Sequence, residues 1–157
     1  MVTCYIFVFY EAKLYSDMGL QVIFIFLQLY GWWAWLYAGP EKTELPVSRL
    51  SFLGHVFWLV VIGAGTTILG YVMATNTDAA LPYPDAFITA ASLVAQWLLG
   101  RKILESWVVW IVVDLVSIGV FFVKELYPTT GLYIIFLSLA CCGLWAWRRQ
   151  YSGTVVD

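Results

Sequence analysis

The chain has 157 residues, of which 62% are hydrophobic and 11% are charged, and its formal net charge at pH 7 is −2. This composition lies far from that of soluble domains and indicates an integral membrane protein built from helices that span the lipid bilayer. No basic cluster offers a footprint for phosphates, so we expect no nucleic-acid partner.

Six apolar segments follow one another along the chain, separated by polar or proline-containing turns. The first, residues 2–10, is too short to cross a bilayer. The next five have about the 17–25 residues that a spanning helix needs. These predicted helices cover residues 18–38, 52–73, 82–100, 107–123 and 130–147. We therefore expect an all-α, polytopic membrane protein with a single transmembrane domain over residues 1–157.

The basic residues of the loops predict how the helices are oriented, because cytoplasmic loops are enriched in Lys and Arg. If the C-terminus is cytoplasmic, six basic residues lie on the inside and only Lys13 and Lys124 lie outside. The six are Lys42, Arg49, Arg101, Lys102, Arg148 and Arg149. This bias favours a cytoplasmic C-terminus.

An internal repeat is the most informative feature of the organisation. Residues 19–35 and 131–147 are identical at nine of 17 positions when shifted by 112, including the pairs Gly31/Gly143 and Trp35/Trp147. Both copies run in the same direction, so the helix at 52–73 is expected to be an inverting linker. Parallel repeats of this kind are a transporter architecture, with the solute site at the repeat interface.

The repeat predicts a plan of three helices, one linker helix and three helices. Residues 82–148 form the second repeat, and residues 1–38 form the remainder of the first. Shifting 107–123 back by 112 places its partner partly before Met1, so we expect the chain to lack the first helix and part of the second.

Polar and aromatic side chains form one stripe on each of three predicted helices, because they recur at helical spacing. The stripes are Gln21, Gln28, Trp32 and Trp35; Asp85, Thr89, Ser92 and Gln96; and Trp107, Trp110 and Asp114. Polar groups in lipid usually face a cavity or the bundle interior. The stripes predict a wet pocket with aromatic walls, although hydrogen bonding between helices would also explain them. For Asp114, a structural hydrogen-bond acceptor and a solute or proton site are both open.

No catalytic constellation is present: there is no pair of histidines at metal-binding spacing, no serine elbow and no glycine-rich phosphate loop. We therefore expect neither an enzyme nor a bound cofactor or metal. A membrane-embedded enzyme is the weakest alternative, and a scaffold subunit that does not transport is a stronger one.

Two long runs resemble a known family. They are DAFITAASLVAQWL at 85–98 and RKILESWVVWIVVD at 101–114, supported by KLY at 13–15, QLYGW at 28–32, LY at 132–133 and FL at 136–137. Together they resemble the core of PnuC-type nicotinamide riboside transporters, and the resemblance covers essentially the whole chain. The spacing of Trp107 and Trp110 is similar to the WxxW signature of the nicotinamide riboside branch, whereas related branches are thought to carry thiamine or riboflavin. The family normally begins with a further helix and a Trp-Pro motif, which this chain lacks.

The resemblance implies a seven-helix, three-one-three fold similar in plan to the SWEET sugar transporters. It implies facilitated diffusion of an unphosphorylated vitamin across a bacterial inner membrane, followed by trapping through a separate cytosolic kinase. Assembly into a homo-oligomer is left open.

The candidate residues match the chemistry of nicotinamide riboside. Its flat, cationic ring suits Trp107, Trp110 and Trp32. Its carboxamide needs donors and acceptors of the kind that glutamine supplies, and the ribose hydroxyls suit Asp, Thr or Ser. The remaining candidates are accordingly Gln21, Gln28, Gln96, Thr89 and Asp114. The stripes hold no Lys or Arg to meet a phosphate, which favours a nucleoside over a mononucleotide.

Overall fold

The computed structural model describes residues 15–38, 45–77 and 80–154, with side chains between Val22 and Ser152. The described part contains five α-helices and no strand, apart from one isolated bridge between Ser48 and Ile103. The helices are α1 (Tyr15–Tyr37), α2 (Phe52–Asn76), α3 (Pro82–Gly100), α4 (Glu105–Val123) and α5 (Tyr127–Thr154). Each of the five predicted spans falls on one of them, and the predicted segment 2–10 lies outside the described residues.

Within the described residues, three helices are long and apolar enough to cross a membrane: Phe52–Asn76, Glu105–Val123 and Tyr127–Ser152. Helix α2 buries little of itself against the rest of the chain, and Phe52 is 81% exposed. Apolar surface of this extent is stable only against lipid or another apolar partner. The prediction of an all-helical, multi-pass membrane protein is supported.

Helix ends follow local chemistry. The Ser51 hydroxyl caps α2 by accepting a hydrogen bond from the Gly54 N–H at 3.2 Å. Pro82 occupies the first turn of α3, where its missing N–H costs nothing. Lys102 and Glu125, which follow α3 and α4, have positive φ values of 55° and 57°. These tight turns make α3, α4 and α5 a closely connected antiparallel series.

Helix α3 is the centre of the described fold, because it packs against α1, α2 and α4. Its buried face is rich in alanine, which allows neighbouring backbones to approach closely. At Gly31 of α1, an added Cβ would lie 3.0 Å from the Cα of Gly100. At Gly70 of α2, an added Cβ would overlap the ring of Tyr83. Helix α5 packs against α4 on the other side.

One end of the bundle gathers most of the described basic residues. The Glu105 carboxylate at the start of α4 accepts a hydrogen bond from the Leu50 N–H at 3.1 Å and pairs with Arg49 at 3.4 Å. The Arg49 guanidinium also lies over the ring of Tyr151, near the end of α5. Lys124 lies at the opposite end, in the turn that follows α4. This placement of most described basic residues at one end and Lys124 at the other agrees with the predicted topology. Which side of the membrane the basic end faces remains a prediction.

Candidate functional site

A cavity of about 520 Å³ lies between α1, α3, α4 and α5. We call it the main cavity. Its size falls within the roughly 300–1,000 Å³ that is typical of small-molecule sites. Its polar and aromatic lining includes Gln28, Thr89, Ser92, Gln96, Trp107, Trp110, Asp114 and Tyr133. The whole predicted stripe of α4, three of the four residues of the α3 stripe and one glutamine of the α1 stripe therefore meet around one space.

Helical periodicity explains how α3 and α4 reach the main cavity. On α3, Thr89, Ser92 and Gln96 are three and four residues apart, which places them on one face. Residues 107, 110 and 114 repeat the same spacing on α4. Each helix therefore presents about two turns of polar or indole side chains to the cavity.

The positions lining the main cavity from α1 and α5 are related by the repeat. Phe24 and Phe136 differ by 112 positions, as do Gln28 and Ala140, and all four line the cavity. Neither phenylalanine was among the predicted site residues, and neither was Tyr133. Applying the shift of 112 to the stripe of α1 would have found Tyr133, because it corresponds to Gln21.

Two predicted site residues are not placed in the main cavity. Trp32 lines a second, smaller cavity, described below, and the side chain of Gln21 lies outside the described residues. Asp85 belongs to the stripe of α3 but does not line the cavity. Instead its carboxylate binds the Lys124 ammonium at 2.7 and 2.9 Å and joins α3 to the end of α4.

The position of Trp107 is set by α5. The ring contacts Trp147 edge to face, with centroids 5.3 Å apart. It also lies over Gly143, where an added Cβ would come within 2.6 Å of the indole. The Trp107 Nε1 is buried and has no hydrogen-bond acceptor in the described part of the chain. The ring is thus firmly held by α5.

Among the described residues that line the main cavity, Asp114 is the one formally charged side chain. It is 3% exposed, and we find no hydrogen-bond or ion-pair partner for its carboxylate among the described residues. An unpaired charge within a membrane costs at least ~2.5 kcal/mol. No donor for a structural acceptor is present among the described residues.

A cavity with several polar and aromatic side chains, lined in part by the apolar, membrane-length helices α4 and α5, fits a solute transporter. Residues 1–149 match a family model described as "Nicotinamide mononucleotide transporter". The chain belongs to this transporter family, and the resemblance to PnuC-type proteins that the sequence indicated is confirmed.

Individual relatives agree with this assignment. The nicotinamide riboside transporter PnuC of Escherichia coli (strain K12) is 28% identical, with 93% of this chain and 72% of the relative covered. The riboflavin/roseoflavin transporter RibM of Streptomyces davaonensis is 24% identical, with 94% and 72% covered. Among solved structures, the crystal structure of the vitamin B3 transporter PnuC has a TM-score of 0.70 at 25% identity, with 95% of this chain and 68% of that chain covered.

Proposed function

We propose that the chain carries nicotinamide riboside across the membrane by facilitated diffusion, with the main cavity as its binding site. The observation that carries this proposal is the buried Asp114 carboxylate, which has no partner in the described part of the chain and lies one turn from Trp110 in the same cavity. Nicotinamide riboside brings the complement of both groups, because its pyridinium ring is flat and positively charged.

The two indoles and the carboxylate act on the ring together. Cation–π attraction to Trp is worth on the order of 2 kcal/mol when the site is desolvated. Asp114 adds a full opposite charge in surroundings of low dielectric, where Coulomb attraction is stronger than in water. We infer that Trp107 and Trp110 flank the pyridinium ring and that Asp114 offsets its charge.

The remaining polar groups suit the rest of the solute. Gln28 and Gln96 can each donate to and accept from a carboxamide. Thr89 and Ser92 offer hydroxyls at the next turns of α3, within reach of a ribose. The Thr89 hydroxyl donates to the Asp85 carbonyl at 3.1 Å, and its lone pairs can still accept from a ribose hydroxyl. Gln21 remains a candidate because its repeat counterpart Tyr133 lines the cavity.

The lining of the main cavity favours a nucleoside over its phosphate. No Lys or Arg is among the described residues that line it, and Asp114 would repel a phosphate group. Lys124, in the turn at the end of α4, does not line the cavity, and Asp85 already neutralises it. We therefore propose the riboside, although the family description names the mononucleotide.

The proposed three-one-three architecture is supported by contacts at repeat-related positions. Trp35 of α1 and Trp147 of α5 are equivalent residues, and their rings meet with centroids 5.7 Å apart. Equivalent residues meet where a twofold axis passes between parallel repeats. In this plan, residues 1–38 belong to the first repeat, α2 is the linker at 52–73, and residues 82–148 form the second repeat. The cavity then lies on the repeat axis.

We further propose that the chain lies in a bacterial inner membrane with the C-terminus in the cytoplasm. The basic residues after α3 and at the end of α5 support this orientation, because they share one end of the bundle.

Riboflavin is the second candidate solute, because RibM is among the relatives. A neutral isoalloxazine could stack on the same indoles, but it would leave Asp114 without a counter-charge. Riboflavin would therefore interact with the two indoles but not with the charge of Asp114, whereas a pyridinium interacts with both.

Uptake of labelled nicotinamide riboside into proteoliposomes tests the proposal. We expect saturable uptake that unlabelled riboside inhibits and that equimolar mononucleotide or riboflavin inhibits at least about tenfold less, a difference of about 1.4 kcal/mol. Liposomes without protein give the background. Stronger inhibition by riboflavin than by the riboside would establish the second candidate. The absence of saturable uptake when nicotinamide riboside, its mononucleotide and riboflavin are each supplied in labelled form would favour a scaffold role.

A further inference from the structure

A second cavity of about 320 Å³ adjoins the main cavity. We call it the lower cavity. Gln28, Gln96 and Leu99 line both cavities, and Trp32 and Trp35 line only the lower one. Helices α1 and α3 run in the same direction, and the lower cavity follows the main cavity toward the C-terminal ends of both. This is the end of the bundle that gathers the described basic residues.

The far wall of the lower cavity is a firm contact between α1 and α3. The backbones of Gly31 and Gly100 approach each other closely: an added Cβ on Gly100 would lie only 3.3 Å from the Cα of Gly31. The Trp35 Nε1 donates to the Leu99 carbonyl at 2.9 Å. Both Trp35 and the two glycines are therefore already used in holding the helices together.

Trp32 differs from its neighbours because its indole makes no hydrogen bond or ring contact in the described part of the chain. It is 67% exposed and contacts no other aromatic ring among the described residues. By contrast, Trp33 contacts Tyr30, and Trp35 contacts Trp147. The lower cavity therefore combines the Trp32 indole with the side-chain amides of Gln28 and Gln96. The main cavity combines the same two kinds of group, indole and amide.

We propose that the lower cavity is a transit subsite, in which Trp32 receives the cationic aromatic ring of the solute as it leaves the main cavity. The inference rests on the proposed function of the main cavity and adds a second station to it. Gln28 and Gln96 face both cavities, so a carboxamide bonded to them keeps its partners while the ring moves from Trp107 and Trp110 to Trp32. Ring transfer without loss of these hydrogen bonds lowers the barrier between the two stations.

A transit subsite affects the rate of transport more than the equilibrium affinity, because the solute at rest occupies the main cavity. The test compares Trp32→Leu with Trp33→Leu, an equally bulky change one residue further along α1. Trp33 is 57% exposed and lines neither cavity. Equilibrium affinity for nicotinamide riboside is measured by calorimetry in detergent, and the maximal uptake rate is measured in proteoliposomes.

For Trp32→Leu we expect the maximal uptake rate to fall at least about threefold while the Kd changes by less than about twofold. Trp32→Phe keeps a ring and should retain most of the rate, and Trp33→Leu should match the wild type in both measurements. An unchanged rate in Trp32→Leu, an equal loss in Trp33→Leu, or a rise in Kd as large as the loss of rate would each overturn the proposal.

Failure of the main cavity gives a different pattern. If Trp107→Ala, Trp110→Ala and Gln96→Ala all bind nicotinamide riboside with wild-type affinity, the proposed function of the main cavity is wrong. If Trp107→Ala loses affinity and Trp32→Leu changes neither quantity, the main cavity stands and the transit subsite is wrong.

Discussion

Substituting Gly143 by alanine displaces a cavity-lining indole without touching the solute. The new Cβ would lie 2.6 Å from two carbons of the Trp107 ring, whereas ordinary contact begins at 3.4 Å. The ring must therefore retreat by about 0.8 Å from Gly143. Trp147 packs against the same indole and limits the directions in which it can move.

The expected cost of this overpacking is about 1–3 kcal/mol, divided between the stability of the fold and the binding of the solute. We expect Gly143→Ala to weaken the affinity for nicotinamide riboside about three- to tenfold by calorimetry, and to lower the unfolding temperature in detergent. A bound solute that needs Trp107 in its present position should no longer fit as closely.

Gly131→Ala is the matched control on the same helix. No atom lies within 4 Å of a Cβ added there, so the alanine meets open space. Alanine in place of glycine within a helix stabilises by up to about 1 kcal/mol, so this variant should bind normally and unfold no earlier than the wild type. Wild-type affinity together with a wild-type unfolding temperature in Gly143→Ala would refute the assigned role of the Gly143 contact.

Three further predictions concern charge and orientation. Asp114→Asn should weaken riboside binding about tenfold in calorimetry without lowering the unfolding temperature, since its carboxylate has no partner among the described residues; a loss of stability alone would mean a structural acceptor. Lys124→Met should destabilise the protein by about 1–2 kcal/mol in thermal unfolding, because it leaves Asp85 unpaired in partly buried surroundings, and Asp85→Asn in the same chain should restore part of the loss. In a background without native cysteines, Ser152→Cys in intact cells should resist an impermeant thiol reagent that labels Asn76→Cys, and the reverse pattern would overturn the topology.

Apolar length was sufficient to predict the helices, but their ends followed other rules. The bounds of α3 could be predicted because Pro82 and Gly100 both mark helix ends. Helix α5 continues to Thr154, well past the predicted end at 147. Its last turns are polar, and backbone hydrogen bonding carries a helix beyond the apolar segment into water.

The spacing of residues along a helix predicts which side chains share a face. It predicts which of them line the same cavity only where that face borders a single cavity. Residues 28 and 35 lie about 10 Å apart along α1 at 1.5 Å per residue, so one stripe extends past the main cavity and reaches the lower one. This is why Trp32 lies on the same predicted face of α1 as Gln28 but lines the lower cavity and not the main one. The partner of Asp85 comes from a distant turn, and no periodicity within α3 contains that information.

Titration calorimetry of nicotinamide riboside onto the wild-type protein and three variants tests most directly whether the main cavity binds the solute. The variants are Trp107→Ala, Trp110→Ala and Gln96→Ala, each of which removes one group from the lining of the main cavity. We expect each to weaken binding at least several-fold, because stacking or a hydrogen bond is worth about 1 kcal/mol and 1.4 kcal/mol is tenfold. Trp110→Phe keeps an aromatic face and should lose less. Unchanged affinity in all three variants would place the solute elsewhere and leave the stripes as packing between helices.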